Sequence, residues 1–176
     1  MDARTALARD IFTTAHLTGE FTLRSGATST EYFDKYLFEA QPALLGRIVE
    51  ALAPLVPDGT EALAGLELGG IPIATRLSQV TGLPALFVRK AAKTYGTCRL
   101  AEGGELEGRR LTVVEDVVTS GGQVLTSCGD LRAAGAEVAT VICVIDREAG
   151  GRKAFDADGL ELRALFTMSE LKAAGG

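Results

Sequence analysis

The sequence predicts an α/β protein, doubly wound, with a mainly parallel central sheet flanked by helices. Three observations carry that expectation. Strand-like and helix-like segments alternate as two βαβ units between Ala62 and Ile145, their strands are almost wholly apolar, and glycines stand between strand and helix in both units. Strands that are apolar on both sides are buried on both faces, which requires helix layers above and below the sheet.

The 176 residues fit a single domain, 1–176, with no room for a second full catalytic module. Hydrophobic residues make up 47% and charged residues 23%, the balance of a folded globular chain and not of a disordered one. Eighteen basic against twenty-three acidic residues give a net charge of −5, which argues against a nucleic-acid partner held by phosphate neutralisation. An anionic ligand therefore has to be met locally. The longest apolar run, Val138 to Ile145, is less than half of the roughly 20 residues of a membrane helix, so no membrane is expected. Asp2, Arg4, Arg9 and Asp10 crowd the start of the chain where a secretory signal would be apolar, and the cytoplasm is the expected compartment. Cys98, Cys128 and Cys143 are odd in number and widely spaced, which suits reduced thiols, and the single His16 cannot build a Cys/His zinc cluster.

Along the chain, Asp2 to Thr14 reads as a helix with a polar face. Gly19, the run Phe21 to Arg24, a Ser25-Gly26 turn and the aromatic run Tyr32-Phe33 then read as a hairpin-like pair. These segments make a small N-terminal hood of about 40 residues before a core at about 58–170. Pro42 suits a first helical turn, and Leu44, Leu45, Ile48, Val49 and Leu52 recur at helical spacing until Pro54 and Pro57 stop them. The first βαβ unit has an apolar run from Ala62 to Leu68, then Gly69-Gly70, a helix from Ile71 to Val80 closed by Gly82, and a run from Leu83 to Val88. The second has a strand from Leu111 to Val114, a loop from Glu115 to Gly122, a helix with Val124, Leu125, Cys128 and Leu131 on one face and Gly135 at its end, and a strand from Val138 to Ile145. Between the units lies Lys90 to Gly108, rich in glycine and charge, without apolar periodicity. A structureless stretch of that length in a compact domain is functional or mobile, and it is a candidate mobile lid.

The most informative stretch runs from Val113 to Gly122. Two carboxylates, Glu115 and Asp116, stand at the carboxyl end of a buried strand, just before the small-residue loop Thr119-Ser120-Gly121-Gly122 and a helix. Successive backbone N–H groups in such a loop cradle an anion, with the positive end of the helix dipole aimed at it. Carboxylates beside the loop accept hydrogen bonds from a sugar diol, so acids and loop together describe a ribose-phosphate site at a strand end. The bland alternative is an ordinary strand-turn-helix with solvated acids; the two-acid prefix favours phosphate.

This stretch resembles the fingerprint of the type I phosphoribosyltransferases: an apolar strand, two acids, two variable residues and Thr-(Thr/Ser)-Gly. Glu115 stands where the first acid is commonly Asp. The resemblance implies binding of 5-phosphoribosyl 1-diphosphate (PRPP), with Glu115 and Asp116 on the ribose hydroxyls, Thr119, Ser120, Gly121 and Gly122 on the 5′-phosphate, and Val117, Val118 and Gln123 within the same PRPP-binding segment. Four further stretches in register resemble the orotate phosphoribosyltransferases: Phe21 to Gly26, Tyr32-Phe33-Asp34, Arg89 to Thr97, and Asp146 to Gly151. Glu67 to Pro72 is similar to the diphosphate loop of that family, so the likeness runs from about Phe21 to Gly151.

The resemblance implies that Leu68, Gly69, Arg24, Arg89, Lys90, Lys93 and Tyr95 bind PRPP, and that Lys93 and Asp116 are catalytic. It also implies that orotate is held by Arg24, Tyr32, Phe33, Thr119 and Arg147. An arginine fork pairs with a planar anion, aromatic rings offer a flat wall, and cations on a lid meet the charge of departing diphosphate. On its own, Arg147 reads as a surface ion-pair partner of Asp146 or Glu148. Mg²⁺, carried by PRPP and not by protein ligands, neutralises further charge. The family likeness further implies a homodimer whose lid reaches the neighbouring subunit. Tyr95 replaces a histidine of many bacterial relatives, and Leu68-Gly69 replaces Tyr-Lys. Backbone N–H groups then take over the diphosphate contacts, and the resemblance leaves room for a strained or cis peptide near Gly69. His16 and Cys98 are left outside the site.

The implied activity is transfer of phosphoribosyl from PRPP to orotate, giving orotidine 5′-monophosphate and diphosphate on the route to pyrimidine nucleotides. Two other readings stay open on the residues: a PRPP-sensing regulator that does no chemistry, and a transferase for another base.

Overall fold

The computed structural model describes residues 2–22, 26–91 and 99–176. In chain order the elements are α1 (Ala3–Ala15), β1 (His16–Thr22), β2 (Thr28–Phe33), α2 (Lys35–Glu39), α3 (Pro42–Leu52), β3 (Ala62–Leu66), α4 (Gly70–Thr81), β4 (Ala85–Val88), β5 (Ala101–Glu102), β6 (Arg110–Val118), α5 (Gly122–Ala133), β7 (Glu137–Asp146), α6 (Gly151–Ala157), β8 (Glu161–Thr167) and α7 (Met168–Gly175). Strands β1 and β2 form a separate antiparallel pair, and the central sheet has the order β5-β4-β3-β6-β7-β8. All its neighbours are parallel except the short edge strand β5, which runs antiparallel to β4.

Two apolar clusters cover the two faces of this sheet. Leu7 and Ile11 of α1, Ile48 of α3, Ile73 of α4 and Leu171 of α7 pack with Leu63, Val114 and Ile142 on one face. On the other, Val124, Cys128 and Leu131 of α5 and Phe155 of α6 pack with Ala62, Ala64, Val113 and Val141. The alternation within β3 explains how one strand feeds both clusters. Burial on both faces is what the continuous apolar runs predict. The chain leaves β3 toward β4 on one side and β6 toward β7 on the other, so the strand order reverses between β3 and β6. The carboxyl ends of strands at such a switch point form the crevice in which open α/β sheets bind ligands.

Several boundaries differ from the expectation, each for a physical reason. The fingerprint acids lie within β6 and not in a loop, because the strand continues in parallel register with β7 as far as Val118 opposite Asp146. Part of the stretch expected to be structureless is tied down: Ala101 and Glu102 pair with Val88 and Phe87 as β5. β1 begins at His16 and takes in Gly19, and β3 stops at Leu66 because the chain turns there into α4. The short α2 has no counterpart in the sequence reading, nor do α6, β8 and α7. Five residues do not make a stable helix alone. Here Asp34 caps α2 by accepting from the Tyr36 N–H at 3.1 Å, and the Phe38 ring is fully buried. Burial of such a ring contributes roughly 2–3 kcal/mol, enough to dock one helical turn.

Candidate active site

The loops after β3 and β6 face each other across the switch point. After β3 the chain passes through a cis peptide between Glu67 and Leu68 and enters α4 at Gly70. Gly69 needs no unusual backbone angles (φ −70°, ψ −28°), but a Cβ there would lie 1.6 Å from Asp116 Oδ2. A Cβ on Gly70 would lie 2.2 Å from the carbonyl oxygen of Val114. The two glycines therefore exist to let this loop lie directly on the end of β6.

After β6, Thr119 and Ser120 are exposed and Gly121 takes a left-handed conformation, φ +80°, as the N-cap of α5. No side chain caps that helix. The first-turn N–H groups of a helix lack intrahelical partners, so this terminus presents donors and a positive dipole to the crevice. Gly121 is also pressed against Phe155, whose Cε1 a Cβ would approach to 2.5 Å. The main chain of Arg147, just beyond β7, donates to the Val118 carbonyl at 2.8 Å, which sets this residue beside the glycine turn.

The electrostatic centre is Asp116. Its side chain is fully buried; Oδ1 accepts from the Val117 N–H at 2.5 Å, and Oδ2 lies 2.5 Å from Lys35 Nζ. Burial alone would raise this carboxyl, but hydrogen bonds from Glu115, Lys35 and Glu39 and the Lys35 charge hold it below the ordinary aspartate value. Glu115 is pushed well above the usual carboxylate range, first by burial and then by its hydrogen bond to Asp116 and that group's charge. Lys35 responds in the opposite sense: burial would lower it, yet the Asp116 carboxylate keeps the ammonium raised. Glu39 is raised to about 9, by burial and then by the Asp116 charge. One buried carboxylate is thus held low, with a lysine as counter-ion and two neighbouring acids pushed up.

Of the residues singled out in the sequence, Leu68, Gly69, Glu115, Asp116 and the segment Val117 to Gln123 surround the crevice. Arg147 is exposed, and among the described residues it makes no ion pair; Asp146 instead lies 3.5 Å from Arg152, and Glu148 accepts from the Ser169 N–H at 2.9 Å. The bland ion-pair reading of Arg147 therefore fails. Arg89 Nε is 3.7 Å from Glu102 Oε1, and the Lys90 N–H donates to Glu67 Oε2 at 3.1 Å. Tyr32 and Phe33, expected as one wall, are a correction: neighbours on β2 point to opposite faces. Tyr32 is exposed beside Phe21, with ring centroids 5.5 Å apart, whereas Phe33 packs on the core. Arg24, Lys93, Tyr95 and Cys98 lie outside the described residues. His16 stacks on Phe12, centroids 4.6 Å apart. The sequence reading missed Lys35 and Glu39. Their signal is the Asp34 cap followed by two charged residues four apart, which a helix places on one face.

Comparison with known proteins decides the family. Over 168 residues the chain is 58% identical to an orotate phosphoribosyltransferase of Nocardioides sp., covering 96% of this chain and 94% of that one. It belongs to the orotate phosphoribosyltransferase family. A relative of the same name from Methanocella arvoryzae is 47% identical over 87% of both chains. A crystal structure of Mycobacterium tuberculosis H37Rv orotate phosphoribosyltransferase in complex with PRPP superposes with a TM-score of 0.82 at 30% identity, covering 96% of this chain and 98% of that one. No protein-family model matches the chain. The protein is accordingly a pentosyltransferase enzyme, with the parallel sheet and flanking helices of the type I phosphoribosyltransferase fold.

Proposed function

We propose that the crevice between β3 and β6 carries out Mg²⁺-dependent transfer of phosphoribosyl from PRPP to orotate, with the glycine turn on the 5′-phosphate and the loop after β3 on the diphosphate. The observation that carries this reading is the meeting of an uncapped helix terminus, a two-acid strand end and a glycine loop with no room for a side chain at one switch point. Backbone donors from residues 119–123 suit a phosphate, and Glu115 and Asp116 suit ribose hydroxyls. Orotate's ring nitrogen attacks C1 as diphosphate departs, so the protein's task is positioning and charge stabilisation. Arg147, unpaired among the described residues, suits the orotate carboxylate, with Thr119 at the start of the glycine turn. Mg²⁺ arriving with PRPP would supply neutralising charge for the departing diphosphate.

Lys93, Arg24, Arg89, Lys90 and Tyr95 are proposed to close over the leaving diphosphate from the 90–108 lid and the hairpin turn, the lid reaching the partner subunit of a homodimer. No helix of the described residues is long and apolar enough to cross a membrane. The cytoplasm is the proposed compartment; Cys128 and Cys143 suit it as free, buried thiols, burial pushing Cys128 up to about 12. A mixing experiment tests the shared lid. Lys93→Ala and Arg147→Ala chains, each expected to lose at least about a hundredfold in kcat/KM, are combined into confirmed heterodimers. One site of each heterodimer is then intact, and recovery toward half of the wild-type rate is expected. Heterodimers as inactive as their parents would contradict sharing.

A further inference from the structure

The fingerprint strand and the loop after β3 account for Asp116 and Gly69, but not for the two charged side chains that α2 brings to them. Lys35 and Glu39 are one helical turn apart and share a face, so docking α2 by its buried Phe38 delivers both together. Glu39 is 7% exposed. A Cβ on Gly69 would meet Asp116 Oδ2 at 1.6 Å and Glu39 Oε1 at 3.0 Å, so both oxygens converge on the same backbone atom. Among the described residues Glu39 Oε1 has no hydrogen-bond donor, and Lys35 can balance only one negative charge. Two ionised carboxylates cannot share so small a dry space, whereas a single proton turns one of them into a donor for the other.

We propose that Glu39 acts as a neutral carboxylic acid whose hydrogen bond to Asp116, with the Lys35 ammonium, fixes the position and the single charge of Asp116 beside the diphosphate loop. Glu39 is thus a positioning residue for the PRPP chemistry assigned above, on which the functional half of this inference rests. The charged and titratable groups that act on Glu39 are Asp34 and Lys35 at the start of its own helix and Asp116 of β6, and Asp116 in turn is hydrogen-bonded to Glu115. Burial and the Asp116 charge keep the Glu39 proton in place up to about pH 9.

The test compares wild type, Glu39→Gln and Glu39→Leu, with PRPP varied at saturating orotate from about pH 6 to about pH 10, alongside thermal unfolding over a wider range. Gln keeps the donor and the shape; Leu keeps the volume alone. Glu39→Gln is expected within about threefold of wild type at neutral pH, and Glu39→Leu at least about tenfold lower in kcat/KM for PRPP. Wild type should lose kcat/KM as pH passes about 9, and Glu39→Gln should lack that limb while sharing the limbs of every other group.

Unfolding supplies a readout free of turnover. The folded pKa of Glu39 lies above its unfolded value of 4.5, so its contribution to stability is full at acid pH and is lost as pH rises toward about 9. Gln has nothing to lose, so the melting temperature of Glu39→Gln should gain on wild type across that window. Equal impairment of the Gln and Leu variants, or identical pH profiles of activity and unfolding for wild type and Glu39→Gln, would overturn the inference. A wild type that turns over no PRPP would contradict the functional reading instead, and the unfolding comparison would still decide the state of Glu39.

Discussion

Asp116→Ala is expected to reduce kcat/KM for PRPP by at least about a hundredfold, about 2.7 kcal/mol of transition-state stabilisation, while leaving a folded protein. The carboxylate is the one acid of the cluster held below its ordinary pKa, and it is fully buried at the end of β6, where the ribose is proposed to sit. Its removal takes away the fixed negative charge and the part of the upward push on Glu115 and Glu39 that Asp116 adds to burial. Stability should suffer less than activity. Breaking a buried pair usually leaves a stranded ion, but the Lys35 side chain is 33% exposed and can turn to water. Steady-state kinetics together with thermal unfolding checks both halves. A variant with near-wild-type kcat/KM would remove Asp116 from the reaction.

Gly69→Ala is the second large effect. The backbone there is ordinary helical, so alanine brings no conformational strain, and the whole cost is steric. One methyl carbon placed 1.6 Å from a carboxylate oxygen must move either the loop or Asp116 by well over an ångström. Misplacement of that order costs about a hundredfold when it falls on substrate-positioning groups. The expected result is a fall of that size in kcat/KM for PRPP. Gly129→Ala is the control, since a Cβ at this position in α5 meets nothing within 4 Å and helix propensity favours alanine. It should be as active as wild type and slightly more stable. Equal behaviour of the two variants would contradict the close contact between loop and strand.

The sheet was legible because burial on both faces writes itself as uninterrupted apolar runs, as in Val138 to Ile145, and because Gly82 and Gly135 mark turns with positive φ. The glycine turn at 119–122 was legible because close backbone approach demands glycine. What escaped was held by tertiary contacts. β6 looked finished at Val114, since two acids rarely continue a buried strand; they do so here because α2 brings Lys35 to Asp116 as a counter-ion from elsewhere in the chain. α2 is too short for periodicity to register, and the polar character of Lys35 and Glu39 hid the buried Phe38 between them. Tyr32 and Phe33 were adjacent in sequence, but the pleat sends them to opposite faces. Arg147 taken alone reads as a surface ion pair; the fingerprint favours a ligand role for it, and Asp146 lies beside Arg152 instead.

The most direct test of the proposed reaction is ultraviolet absorbance of orotate incubated with the wild-type protein, PRPP and Mg²⁺, with Lys93→Ala run in parallel. Disappearance of orotate only when PRPP is present, and collapse of that rate by about two orders of magnitude or more in Lys93→Ala, is the predicted result. Orotate left untouched by protein that still binds PRPP would contradict the account, leaving the ribose-phosphate crevice in place and the base acceptor wrong.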